Sequence, residues 1–270
     1  MSSRIDGRIL ALIIAFAIIA VVLILFATVF LVRDISVGYS VKGEESVVSR
    51  QQIIDASGIK TNKNILFISE SEATANIQSK YPQIKVINIE RKFPSEVIIY
   101  VTVRVPVVKV ELDDGLFALL DREMSVVDVM TVDEVSAFET EKNYTLTSVG
   151  FTLKSAAVKI GKIVSPSSSP ELCVVQNCIM ALENLDILNQ SFCSFITNVS
   201  VEPNDKTLYA DGDYVATLKT SDGVDIKISS LSTGSLLAGA YEKYESLSEE
   251  QKRGGYIYKK GNDFVHQDYS

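Results

Sequence analysis

The 270-residue chain has a single histidine, His266, four positions from its last residue. It has no G-x-S-x-G elbow, no H-E-x-x-H helix, no C-x-x-C pair and no Walker A loop. Serine-hydrolase, zinc, dithiol and P-loop chemistry therefore lack the residues they usually need. His266 reads as part of a polar tail rather than as a catalytic base. Metal chemistry would have to rest on carboxylates alone, and Asp113-Asp114 and Asp211-Gly212-Asp213 are explained more simply as turns. No catalytic, cofactor-binding or metal-ligating residue is expected. The competing class is a membrane-anchored extracytoplasmic hydrolase using carboxylates, which would show two buried carboxylates facing one cleft.

Cysteine is also scarce. Cys173, Cys178 and Cys193 are an odd set, so an exported chain keeps at least one unpaired thiol. Cys173 and Cys178 fall on different faces of one expected helix. A Cys178–Cys193 bridge and three small buried free thiols are both compatible with the sequence. Positive charge is the minority sign: 26 Lys and Arg stand against 34 Asp and Glu, a net of −8. No basic stripe is visible, which argues against nucleic acid as a partner.

One long apolar run is present. From Ile9 to Val32 there is no charge, and Thr28 is the only polar side chain. As a helix it would extend about 36 Å, more than the ~30 Å hydrocarbon core of a bilayer. A cleaved signal peptide is the competitor, but its apolar stretch should be shorter and end at a small-residue site. Here the A-x-A pattern of Ala15 and Ala17 lies inside the run. Arg4 and Arg8 against Asp6 place the short tail, residues 1–8, on the cytoplasmic side. The expectation is a tail at 1–8, a transmembrane helix at 9–32 and an exported remainder.

Beyond the run, Ile35–Val41 reads as a strand. Ser49 caps a short helix that buries Ile53 and Ile54 and stops at Gly58. Ser69 or Ser71 caps a second helix, with Ala73, Ile77 and Tyr81 on one face and Pro82 after its end. Two strands follow, Ile84–Glu90 and Glu96–Arg104, around a turn at Arg91–Ser95. In the first, Ile84, Val86, Asn88 and Glu90 should share a face, with Ile87 and Ile89 opposite. This order, β-α-α-β-β over 34–105, suits a small domain whose two helices cover a three-stranded sheet.

A second domain is expected over 106–260. Its strand candidates are Val107–Leu112, Leu116–Leu120, Ser125–Met130, Ile196–Val201, Tyr214–Leu218 and Val224–Ile228, the last two flanking Ser221-Asp222-Gly223. Residues 131–159 show no legible period. After the loop Ser165–Pro170, Leu172, Val175, Ile179, Leu182, Leu185 and Leu188 mark a long amphipathic helix. A last helix covers about Ser235–Leu247. A final short strand follows Gly254-Gly255 as Tyr256, Ile257, Tyr258 and Lys259, and 261–270 reads as a flexible tail. The fold class is α+β: an N-terminal transmembrane helix, the β-α-α-β-β unit, and a mixed α/β domain with an extended sheet and helices on one face.

Several segments together resemble the FtsQ/DivIB family of bacterial cell-division proteins. Ser40–Gly43, Gln51–Ile59 and Asn62–Leu66 resemble the opening of a POTRA domain of the FtsQ type. Tyr81–Pro94 followed by Val97–Val101 matches the family's P-x-I…v-x-I-x-R-x-F-P stretch, with Pro82, Arg91, Phe93 and Pro94 in the motif positions and Gly43 and Gly58 upstream. Leu119-Leu120-Asp121 resembles the apolar-apolar-Asp element, but the glycine expected shortly after it is replaced near Met124. The resemblance implies a non-enzymatic bitopic scaffold in the bacterial plasma membrane, bulk extracytoplasmic, at the division septum. It also implies small bitopic coiled-coil partners of the FtsL and FtsB/DivIC kind and, through them, regulation of the septal peptidoglycan synthase. An exposed sheet edge can accept a partner's strand. Tyr256–Lys259 is the candidate edge. The alternative for the same residues is a paired strand whose tyrosines cover the last helix.

Overall fold

The computed structural model describes residues 7–41, 47–164, 169–184, 192–231 and 233–269. The chain divides into two compact units, Met1–Val103 and Arg104–Ser270.

In the first unit, helix α1 covers Gly7–Thr28. Side chains are described for only part of it, and among the described residues no helix is long and apolar enough to cross a membrane. After α1 the chain forms strand β1 (Asp34–Tyr39), helix α2 (Arg50–Ser57), a single 3-10 turn (Ile65–Phe67) and helix α3 (Glu70–Lys80). Strands β2 (Ile84–Lys92) and β3 (Glu96–Val103) complete it. Ser49 and Gln52 form a reciprocal capping box at the start of α2, and Gly58 ends that helix in the left-handed region at φ 72°. Ser69, not Ser71, caps α3.

The sheet order is β1-β3-β2, with β1 parallel to β3 and β2 antiparallel to it. Ile53, Ala56, Ala73 and Ile77 of the helices pack on Val37, Ile84, Ile89, Val97, Ile99 and Val101 of the sheet. The alternation expected in β2 is broken. A bulge between Val86 and Asn88 shifts the register, so Ile89 turns inward beside Ile84 while Ile87 is 52% exposed.

In the second unit the strands are β4 (Val108–Leu112), β5 (Phe117–Leu120), β6 (Val126–Met130), β7 (Thr147–Leu153), β8 (Ile196–Pro203), β9 (Tyr214–Thr220), β10 (Asp225–Ser229), β11 (Tyr256–Lys260) and β12 (Asp263–Gln267). They form one sheet in the order β12-β11-β10-β9-β8-β7-β4-β5-β6. Its helices are α4 (Val132–Lys142), α5 (Pro170–Asn184), α6 (Phe192–Phe195) and α7 (Thr233–Glu245). Ser169 supplies the first backbone cap of α5 through Leu172 N–H at 3.3 Å. The Leu185 and Leu188 end of the expected stripe lies outside the described residues, as does Gly43.

Leu172, Val175, Ile179 and Leu182 of α5 and Leu237, Tyr241 and Tyr244 of α7 share one buried cluster with β4, β8, β9 and β10. The helices are not all on that face. Alternation sends Ala118 to this cluster and Leu119 to the other side, where it packs with Val135 of α4 and Leu146. Lys109, also on that side, pairs with Glu139 of α4 at 2.7 Å. The unread stretch 131–159 thus holds α4 and β7, and α4 closes the opposite face at the β5–β6 end.

Candidate interaction edge

The two ends of the long sheet differ. At the β6 end the following loop folds back onto the strand: Ser125 bridges Ile163, Val126 N–H donates to Lys162 O at 2.9 Å, and Gly161 N–H donates to Val126 O at 2.8 Å. At the other end, Tyr256–Lys259 is not the outer strand. β12 pairs antiparallel along all of β11, from Tyr256 opposite Gln267 to Lys260 opposite Asp263. The segment expected to be a flexible tail is therefore the outer strand at this end, and among the described residues β12 carries the open edge. His266 lies within it, its ring packed against the Gly254–Gly255 bend and its Nε2 2.9 Å from Gly254 O.

The β11–β12 hairpin turns through two residues, Gly261 and Asn262, with Gly261 at φ 66° as a II′-type turn requires. A two-residue loop makes Lys260 and Asp263 a hydrogen-bonded pair, and pairs alternate from there. Phe264 and His266 fall in the non-hydrogen-bonded pairs. Their main-chain N–H and C=O groups consequently point away from β11, toward the free side of the sheet.

The hairpin is fastened lightly to the rest of the sheet. β10 and β11 pair in parallel over only Asp225–Tyr256 and Ile226–Ile257. Tyr209 extends that short ladder: its hydroxyl donates to Lys227 O at 2.5 Å and accepts from Lys259 N–H at 3.2 Å. Burial pushes the Tyr209 phenol up, which keeps it protonated and able to donate. Ile257 is fully buried in the α7 cluster. Phe264, opposite Lys259, comes close to Gly239 of α7.

Alternation places Tyr256 and Tyr258 on the sheet face away from α7, so they do not cover the last helix. Lys227 Nζ sits 4.4 Å from the Tyr256 ring centroid, and the Tyr258 and Tyr269 rings lie 5.4 and 5.7 Å from it. The Tyr269 hydroxyl donates to Asp225, and burial together with that carboxylate pushes its phenol up. The result is an aromatic face, half-buried and bordered by an open strand. Such a surface can take an added strand by main-chain hydrogen bonds and grip alternate side chains.

The motif residues of the first unit have structural roles. Arg91 Nη2 pairs with Glu70 Oε1 at 2.7 Å and tethers β2 to the start of α3. Phe93 and Pro94 make the β2–β3 turn through a cis bond, and Pro82 lies just past the last turn of α3. A groove of about 400 Å³ runs between the end of α2 and the start of α3, lined by Lys60, Lys63, Asn64, Phe67 and Asn76.

No centre for the hydrolase alternative is visible among the described residues. Asp121 is the one buried carboxylate there, and it is paired with the buried Arg104. No group of three His, Cys, Asp or Glu residues is placed to hold a metal ion in that set. All three cysteines are free. Burial pushes the Cys178 thiol up to about 12, and burial also raises Cys193. Neither is a nucleophile at neutral pH.

Sequence reasoning missed two elements of this site. Tyr209 sits in an irregular loop and carries no motif. β12 was masked by its polar ends, although Phe264-Val265 after Gly261 was a strand signal.

Residues 40–104 match the family model described as POTRA domain, FtsQ-type. No curated protein matches the chain. The match begins just after β1 and runs through β3, so it takes in α2, α3, β2, β3 and the Arg91-Lys92-Phe93-Pro94 turn. The chain therefore carries a POTRA domain of the FtsQ type over these residues.

Proposed function

We propose that the protein is a membrane-anchored, non-enzymatic scaffold of the bacterial division machinery, and that it receives a partner strand on the free edge of β12. The observation that carries this reading is the FtsQ-type POTRA domain on a chain whose second unit has, among the described residues, an edge strand paired on one side only. The anchor is α1 with its flanking apolar residues. What supports it is the uncharged sequence run Ile9–Val32, whose length as a helix would exceed the hydrocarbon core. In this arrangement residues 1–8 are cytoplasmic, 34–105 form the POTRA domain, and 106–267 form the docking domain, one strand longer than the sequence alone suggests.

The partners in this reading are small bitopic coiled-coil division proteins of the FtsL and FtsB/DivIC kind, acting on the septal peptidoglycan synthase. An edge strand suits such partners, because a segment beyond a coiled coil can be unstructured until it pairs. The experiment is purification of the full chain from membranes. The expected result is resistance to alkaline extraction and co-purification of small single-span coiled-coil proteins. A chain released by alkali, or one that captures no such protein, contradicts the reading.

A further inference from the structure

The end of α1 is fastened to one loop of the POTRA domain. Asn64 Nδ2 donates to Phe26 O at 3.0 Å, Ile65 N–H to Phe30 O at 2.8 Å, Val32 N–H to Lys63 O at 2.8 Å, and Asn62 N–H to Val32 O at 2.9 Å. These four bonds hold the loop 62–65 level with the last turn of the helix. Two apolar rings stand on the same end of the domain. Phe67, two residues past Ile65, is 86% exposed. Phe93 is 57% exposed, and its ring meets Phe30 edge-on at 6.1 Å. Arg33, Lys60, Lys63 and Lys92 are exposed in the segments that carry these rings. The acidic groups nearby are Asp34, Glu72 and Glu96, and Glu70, which is engaged by Arg91. Exposed phenylalanines ringed by lysines are costly on a surface that meets only water.

We infer that this end of the POTRA domain is seated on the bilayer surface, with Phe67 and Phe93 buried among the lipid headgroups and Lys60, Lys63 and Lys92 against lipid phosphates. This inference rests on the membrane reading of α1. If α1 spans the bilayer, the bonds from 62–65 to Phe26 in its last turn and to Phe30 and Val32 just after it bring these rings to the interface. Aromatic side chains and flanking basic residues are favoured at that depth. The domain would then be held in a fixed orientation rather than swinging on a flexible stalk.

The sequence contains no tryptophan, so single tryptophans report without background. Phe67→Trp and Phe93→Trp go into the full chain. Tyr81→Trp serves as the comparison, at the far end of β2 and roughly 27 Å away along that strand. Each variant is reconstituted in phosphatidylglycerol vesicles with lipids brominated near the headgroup. Phe67→Trp and Phe93→Trp are expected to be quenched several-fold more than Tyr81→Trp. Lys60→Glu with Lys63→Glu is expected to weaken the quenching of Phe67→Trp. If Phe67→Trp is quenched no more than Tyr81→Trp while α1 resists alkaline extraction, the seat is overturned and the anchored scaffold stands. Release of the chain by alkali overturns both. Quenching that ignores the lysine reversal overturns the electrostatic part.

Discussion

At the residue scale, the most consequential polar contact is Arg104 with Asp121. Both side chains are more than nine-tenths buried, and Arg104 also reaches Glu123 Oε2 at 3.4 Å. Asp121 Oδ1 accepts from Glu123 N–H and Ser125 N–H, each at 2.9 Å, which shapes the turn that places Met124 at φ 60°. A glycine would adopt that φ freely. Here the buried Met124 side chain offsets the backbone cost by filling the core. The apolar-apolar-Asp pattern was readable in the sequence, but its partner was not, because Arg104 and Asp121 meet only through the fold. Asp121→Ala strands a buried guanidinium and should cost about 3–5 kcal/mol in a urea titration of the second unit. Asp121→Asn keeps the Oδ1 acceptor for both turn N–H groups and should cost less. Equal losses would mean that the turn hydrogen bonds contribute nothing beyond the charge pair.

The cysteines give a second test at this scale. Maleimide should label the half-exposed Cys173 in the native protein and spare Cys178 and Cys193 until unfolding, as read by mass spectrometry. The sign of the pH effect follows from the raised thiol. Cys178 is pushed from 9.0 up to about 12, so its contribution to stability is whole below pH 9 and lost as pH climbs toward 12. Cys178→Val should flatten that part of the alkaline stability profile.

At the scale of elements, sequence pattern worked where one face was buried and caps were conventional. The Ser49 cap of α2, its Gly58 stop, and α3 from a serine cap at Ser69 or Ser71 to its end before Pro82 were legible, while the Gln52 half of the capping box was not read. β2 shows why alternation alone falls short: a one-residue bulge puts Ile87 and Ile89 on opposite faces and leaves no mark in composition. α4 was missed for a different reason. Its Thr131–Glu134 capping box is present, but Val135 is the only residue of the helix buried in the core, so no period emerges. The β11–β12 hairpin was half legible, with the strand found and its place in the sheet missed. Because Ile257 is internal, a proline there would break the sheet itself and would not test an edge. The test of how the hairpin is held is Tyr209→Phe. This removes one hydroxyl shared by β10 and β11, and amide exchange over 256–267 should accelerate while the POTRA domain is unchanged. Unchanged exchange would show that the two-pair ladder suffices.

At the scale of the whole molecule, the proposed scaffold role assigns α1 to lipid and the edge of β12 to a partner strand. The two units between them supply packing, caps and one buried ion pair, without a reacting centre among the described residues. Removing residues 1–33 should release the chain into the soluble fraction, as fractionation would read directly, and pelleting with membranes would show that α1 is dispensable for anchoring. The edge itself is isolated by a pair of variants at one position. His266→Pro deletes the outward N–H of β12 and places a ring on its free side. His266→Ala loses the same imidazole bond to Gly254 but keeps the edge. Captured from membranes, wild type and His266→Ala are expected to retain the small coiled-coil partners and His266→Pro to lose them. Full retention by His266→Pro would contradict strand addition on β12.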